Sequence, residues 1–83
     1  MQKELDEIKK EVTERIYQKF LKKYNGNKSQ FAKDANVNES SIRNLFNGQG
    51  TTLNMLFKIC FALEISPSEL LEGLEIKKRN SNY

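Results

Sequence analysis

The chain has no histidine and no tryptophan, and its 83 residues include one cysteine, one proline and four glycines. Without histidine it lacks the commonest metal ligand and general base. Cys60 alone can form neither an internal disulfide nor a cysteine-rich zinc site. No glycine-rich phosphate loop is present, and the carboxylates form no recognisable catalytic set, so no enzyme, metal or cofactor is expected. No apolar run approaches the roughly 20 residues a membrane helix needs, and the charged amino terminus is unlike a secretory signal, so a cytoplasmic protein without membrane contact is expected. Dense charge of one sign is also missing. The net charge is +3 and the sequence pI is near 9.1. Seven bases and five acids fall in residues 1–26, three and two in 28–50, and four and four in 51–83. This balance suits a polyanionic partner without establishing one.

What is present is helical patterning, organised around Lys28 to Asn47, KSQFAKDANVNESSIRNLFN. Asn27 followed by Gln30 is a capping-box pattern that starts a helix near Lys28, with Phe31, Ala32 and Ala35 on one face. Asn36 breaks the run, because asparagine enters the left-handed backbone region more readily than any residue but glycine. Val37 is expected as a buried plug. Asn38 is expected to cap a second helix through the N–H of Ser40 or Ser41, and Ile42, Leu45 and Phe46 give that helix its apolar stripe. Asn47-Gly48 ends it.

On either side lie further helices. From Gln2 to Tyr24 there is no glycine or proline, and Leu5, Ile8, Val12, Ile16 and Phe20 recur at steps of three or four, which predicts a long amphipathic helix. Glu11 and Arg15 are placed to pair on its exposed face. After a Gln49-Gly50-Thr51-Thr52 loop, Leu53, Leu56, Phe57, Ile59, Cys60 and Leu63 predict an apolar fourth helix forming the back wall of the core. Ser66-Pro67-Ser68-Glu69 starts a fifth, in which Leu70, Leu71 and Leu74 are expected to close the core and Gly73 to set the limit. Cys60 reads as a core or interface thiol. The fold class expected is all-α, with five helices.

The spacing of Phe31, Ala32, Asn36, Val37, Ile42 and Leu45, continued through Asn47-Gly48, Leu53, Leu56, Ile59, Ala62-Leu63 and Ser66 to Leu70, resembles the lambda-repressor/Cro-like (XRE) helix-turn-helix family. The resemblance covers about Ile16 to Leu71. It implies a helical extension at residues 1–12 and a DNA-binding domain at 13–74; the basic tail at 75–83, with Lys77-Lys78-Arg79 and no periodicity, is expected to be mobile. Two positions depart from the family pattern. Lys28 stands where glutamine is usual, and Phe46 stands where glutamate is frequent, which leaves no polar role there.

The resemblance implies that the second helix of the pair lies in the major groove and presents Glu39, Ser40, Arg43 and Asn44 to base edges. Asparagine can pair bidentately with adenine and arginine with guanine, serine is permissive, and glutamate can accept from the cytosine amino group. The same chemistry allows a plainer role, in which Glu39 favours its helix start and pairs with Arg43. Lys28, Ser41, Asn47, Gln49 and Thr52 are the implied backbone contacts, although Asn47 and Thr52 also serve as helix stop and cap. The implied function is a sequence-specific regulator of transcription, a repressor binding a palindromic operator as a homodimer. The dimer contact falls either on the fifth helix and its preceding loop or on the extension carrying Leu5, Ile8 and Val12. That stripe could instead fold back on its own domain. An antitoxin that autoregulates its operon fits equally, and the alternative from another class is an interaction module that has lost DNA binding and holds a protein partner through the long first helix.

Overall fold

The computed structural model describes residues 2–74, with side chains from residue 5 onward. The basic tail expected at 75–83 lies outside the described residues. Five helices follow in order: α1 (Gln2–Tyr24), α2 (Lys28–Ala35), α3 (Glu39–Phe46), α4 (Leu53–Leu63) and α5 (Pro67–Leu70).

Helix starts follow local chemistry, with one exception. The Asn27 side chain accepts from the Gln30 N–H at 3.1 Å, Thr52 from Met55 at 3.1 Å and Ser66 from Glu69 at 3.1 Å, each satisfying a donor the helix leaves free. The Gln30 side chain does not return the bond to Asn27. It turns down its own helix to Asp34, 2.9 Å away, so the expected reciprocal box is half made. At α3 the Asn38 side chain makes no cap bond, contrary to expectation. The Ser41 N–H is taken instead by the Asn38 carbonyl at 3.0 Å, and Asn38 lines a cleft with Ser41, Thr52 and Asn54.

Three helices end in the same way. Asn36 (φ 59°), Gly48 (φ 87°) and Glu64 (φ 60°) each adopt the left-handed conformation. The next residue then reaches back to the third carbonyl from the helix end, as in Val37 N–H to Ala32 O at 3.0 Å, Gln49 to Asn44 at 3.0 Å and Ile65 to Cys60 at 3.0 Å. This is the Schellman arrangement. It sets the sharp turn between α2 and α3, and asparagine and glutamate adopt it twice where glycine would do so without steric cost.

Ile16, Phe20 and Tyr24 of α1, Phe31, Ala32 and Ala35 of α2, Ile42 and Leu45 of α3, Ile59, Cys60, Ala62 and Leu63 of α4, and Leu70 form one core. Val12 and Val37 pack against it while remaining partly exposed. Phe46 joins an aromatic group rather than facing solvent. Its ring meets Tyr17 edge-on at 5.0 Å and lies 5.2 Å from Phe20, so α3 is anchored to α1 at the position where the family pattern has a carboxylate.

Two expectations about the core need correction. Leu53 (66% exposed) and Phe57 (49%) lie on the outer face of α4 with Phe61 (81%), not in the back wall. A helix apolar all round must leave part of itself uncovered when neighbours pack on one side only. The fifth helix is also shorter than expected, ending at Leu70, with Leu71 exposed. Arg15 supplies the reason. Its guanidinium donates to the Leu70 carbonyl at 2.9 Å and the Glu72 carbonyl at 2.7 Å, capping a helix end whose carbonyls would otherwise lack donors. Arg15 also pairs with Glu11 at 3.2 Å, as expected.

At the other end of α1, Lys23 donates to the Ala62 carbonyl at 2.5 Å and pairs with Glu64 at 3.1 Å. The buried Tyr24 hydroxyl sits 2.8 Å from Asp34 and 3.2 Å from the Ala62 carbonyl. Burial first, then the Asp34 carboxylate that accepts its proton, push the phenol up to about 12. Helix α1 is therefore fastened to α2, α4 and α5, and it braces the α2–α3 pair.

Candidate nucleic-acid interface

Helix α3 is fixed from below by Ile42 and Leu45, both fully buried. Its period then obliges the residues between them to point outward. Glu39, Ser40, Arg43 and Asn44 are all exposed. They divide into two kinds. Among the described residues the side chains of Ser40 and Asn44 make no internal hydrogen bond, so one turn of polar surface is left to water or to a partner. The carboxylate of Glu39 is occupied on both oxygens: Ser29 of α2 donates to Oε1 at 2.7 Å and Arg43 to Oε2 at 3.1 Å. The plainer role considered for Glu39 and Arg43 is thus adopted in the free protein. It does not exhaust Arg43, whose guanidinium has five N–H donors and spends one on Glu39. Ser29 was not singled out from sequence. Ten residues separate it from Glu39, and only the turn at Asn36 brings them together.

The expected backbone-contact residues fall on two flanks of α3. Lys28, Asn47 and Gln49 line a groove of about 890 Å³ together with Arg43, Phe46, Gly48 and Gly50. Ser41 and Thr52 lie in a separate cleft of about 450 Å³ with Asn36, Asn38, Asn54 and Lys58. Lys58 reaches across the turn to the Asn36 carbonyl at 3.5 Å. The five residues therefore do not form one cluster; they bracket the exposed face of α3 from both sides. Lys28 opens α2, where the helix dipole and the free N–H groups of the first turn favour an anion.

The wall of the larger groove opposite α2 and α3 belongs to α1, through Asp6, Lys9, Lys10, Thr13, Glu14 and Tyr17. In sequence these form only an ordinary mixed-charge helix face, with nothing local that marks them as functional. That stripe leaves little for a partner: Val12 packs on the core, Ile8 is half-buried and Leu5 alone is exposed.

Cys60 is buried, and that burial raises its thiol above the ordinary range, away from the thiolate form that reacts. No helix among the described residues is long and apolar enough to cross a membrane.

A family profile described as the Cro/C1-type HTH DNA-binding domain matches residues 18–73. No curated protein and no solved structure matches the chain. The matched segment runs from the second half of α1 to just past α5 and contains the whole α2–α3 pair. Family, fold and exposed polar helix agree with the resemblance drawn from sequence, and with a protein that binds DNA and is not an enzyme. The chain belongs to the Cro/C1-type helix-turn-helix DNA-binding domains.

Proposed function

We propose that this chain is a cytoplasmic, sequence-specific transcriptional repressor that occupies a palindromic operator as a homodimer, with α3 in the major groove of each half-site. The observation that carries the reading is the pair Ser40 and Asn44, exposed one turn apart on a helix whose opposite face is locked into the core. Asn44 reads adenine and Arg43 guanine, each good bidentate pair discriminating by about 1–3 kcal/mol. Ser40 tolerates either partner. Glu39 holds Arg43 in position and accepts from a cytosine amino group when one is presented. Lys28, Asn47 and Gln49 on one flank, and Ser41 and Thr52 on the other, hold the flanking phosphates and fix the register.

A single domain of this kind covers one half-site, and a two-fold pair places two copies of α3 about one DNA turn apart. Exposed apolar surface supports such a pair: Leu53, Phe57 and Phe61 form a stripe on α4, and Leu71 follows α5. Membership of a DNA-binding family and the unpartnered polar face of α3 weigh against an interaction module that has lost DNA binding. The test is selection of bound duplexes from a random pool by wild type and by Asn44→Ala. Wild type should recover a palindrome, and the variant should lose preference at one symmetric pair of positions. Failure to enrich any duplex, even at low salt, would end the proposal.

A further inference from the structure

We infer that the amino-terminal half of α1 is a further wall of the DNA interface, with Lys9 and Lys10 set against phosphates beside the bases that α3 reads. The inference rests on the DNA-binding reading of α3 and extends it to residues that precede the matched family segment, which begins at residue 18.

Three observations lead there. First, the α1 residues in the large groove, from Asp6 through Lys9, Lys10, Thr13 and Glu14 to Tyr17, recur at steps of three and one. That is the spacing of a single helix face. The row runs on through Tyr17 to the buried Phe20, their rings 6.0 Å apart, so it is the side of α1 that leans toward the rest of the domain, continued past the end of the core. Second, the opposite side of the same groove is made of Lys28, Arg43 and the Asn47–Gly50 loop. The α1 face is therefore continuous with the flank of α3, and a duplex lying on α3 and this loop passes along it. Third, the charge suits a polyanion. Four cations, Lys9, Lys10, Lys28 and Arg43, line the groove against two carboxylates, Asp6 and Glu14, and Glu14 already accepts from Gln18 at 2.9 Å.

The dimensions also fit. At about 1.5 Å per residue the stretch from Asp6 to Tyr17 is roughly 16 Å long. One DNA strand presents a phosphate about every 3.4 Å of helix axis, so four or five pass along that length and two lysines can each meet one. From sequence the extension is either a dimer contact or a segment folded back on its own domain. The structure gives it a polar face with a place in the binding groove and leaves only Leu5 of its apolar stripe exposed.

The experiment is a salt titration of duplex binding by the full chain, followed by fluorescence anisotropy between about 50 and about 200 mM salt, a range over which phosphate contacts dominate the slope. It compares wild type, Lys9→Gln/Lys10→Gln, and the charge-matched control Lys19→Gln/Lys22→Gln. The control lysines line a different cleft on α1, with Gln18, Leu21 and Glu69. Loss of two phosphate contacts lowers the slope of log K against log salt by about 1.8 per bound protomer. Over the fourfold rise in salt, wild type should therefore lose about 12-fold more affinity per protomer than Lys9→Gln/Lys10→Gln. The control should follow wild type, and the selected sequence should be the same for all three. A wild-type slope in the Lys9/Lys10 variant, or an equal fall in the control, overturns this inference while leaving the role of α3 intact. A wild-type chain that binds no duplex at low salt overturns both.

Discussion

Replacing Phe46 by alanine tests whether the recognition helix is held by an aromatic contact that the family pattern does not supply. Phe46 is half-buried, with its ring 5.0 Å from Tyr17, edge-on, and 5.2 Å from Phe20. Full burial of a phenylalanine is worth about 1.5–3 kcal/mol, so half-burial accounts for roughly 1–1.5 kcal/mol. Phe46 also lies 6.5 Å from Phe31; an aromatic pair adds about 0.5–1.5 kcal/mol, and three pairs sharing one ring add much less than three times that. The expected loss is about 2–3 kcal/mol. At about 4–8 °C per kcal/mol for a domain of this size, Tm should fall by roughly 8–24 °C. Thermal and urea melts followed by circular dichroism measure it. Lys33→Ala is the control, because that side chain is exposed on α2 and its removal should cost under about 0.5 kcal/mol. A double-mutant cycle with Tyr17→Ala should show coupling of at least about 0.5 kcal/mol, as expected for side chains in contact. A loss for Phe46→Ala as small as that for Lys33→Ala, or no coupling to Tyr17, would refute the anchoring of α3 to α1.

Other perturbations test other links. Glu64→Gly should stabilise the chain by roughly 0.5 kcal/mol, read from the urea midpoint, since relief of the left-handed strain at φ 60° exceeds both the added freedom of the unfolded chain and a surface ion pair. Tyr24 has its pKa raised to about 12 in the fold against an ordinary 10.0. Its contribution is complete below pH 10 and is lost as pH rises toward 12, so the wild-type urea midpoint should fall across that window more steeply than that of Tyr24→Phe. An equal fall in both would show that the Tyr24 hydroxyl is not the source. Cys60 should resist alkylation at pH 8 in the native chain and react once the chain unfolds, because it is buried with its thiol pKa raised; rapid native labelling would contradict that placement.

The elements legible from sequence were those whose causes lie within about four residues along the chain. Asn27, Thr52 and Ser66 start helices through bonds three residues long, and Asn36 and Gly48 turn the chain where a left-handed residue is needed. The buried positions of α1, α2 and α3 could be read from period alone, since one face of each meets the core. Candidate base-reading residues needed the family resemblance to say which helix reads DNA; period then picked out those opposite Ile42 and Leu45. Asn38 shows the limit of such reasoning even locally: a good capping residue went unused because its own carbonyl, rather than its side chain, took the Ser41 donor.

The rest depended on residues far apart in sequence and was decided by packing. Arg15 ends α5 from 55 residues away, and Lys23 reaches an α4 carbonyl 39 residues on; neither pairing leaves a mark on local sequence. Helix α4 is apolar on nearly every side, so its composition could not say which side would be covered, and Leu53, Phe57 and Phe61 were left outside. The polar face of α1 is an ordinary mixed-charge stripe until α3 and the Asn47–Gly50 loop stand across from it and make it the wall of a groove. The sequence by itself determined the five helices, the ends of all but α5, and the family resemblance, because hydrogen bonds and periodicity along one chain specify them. Which faces meet, and hence which charges gather around α3, was decided by the tertiary structure, because burial depends on the shape and position of every neighbouring element at once.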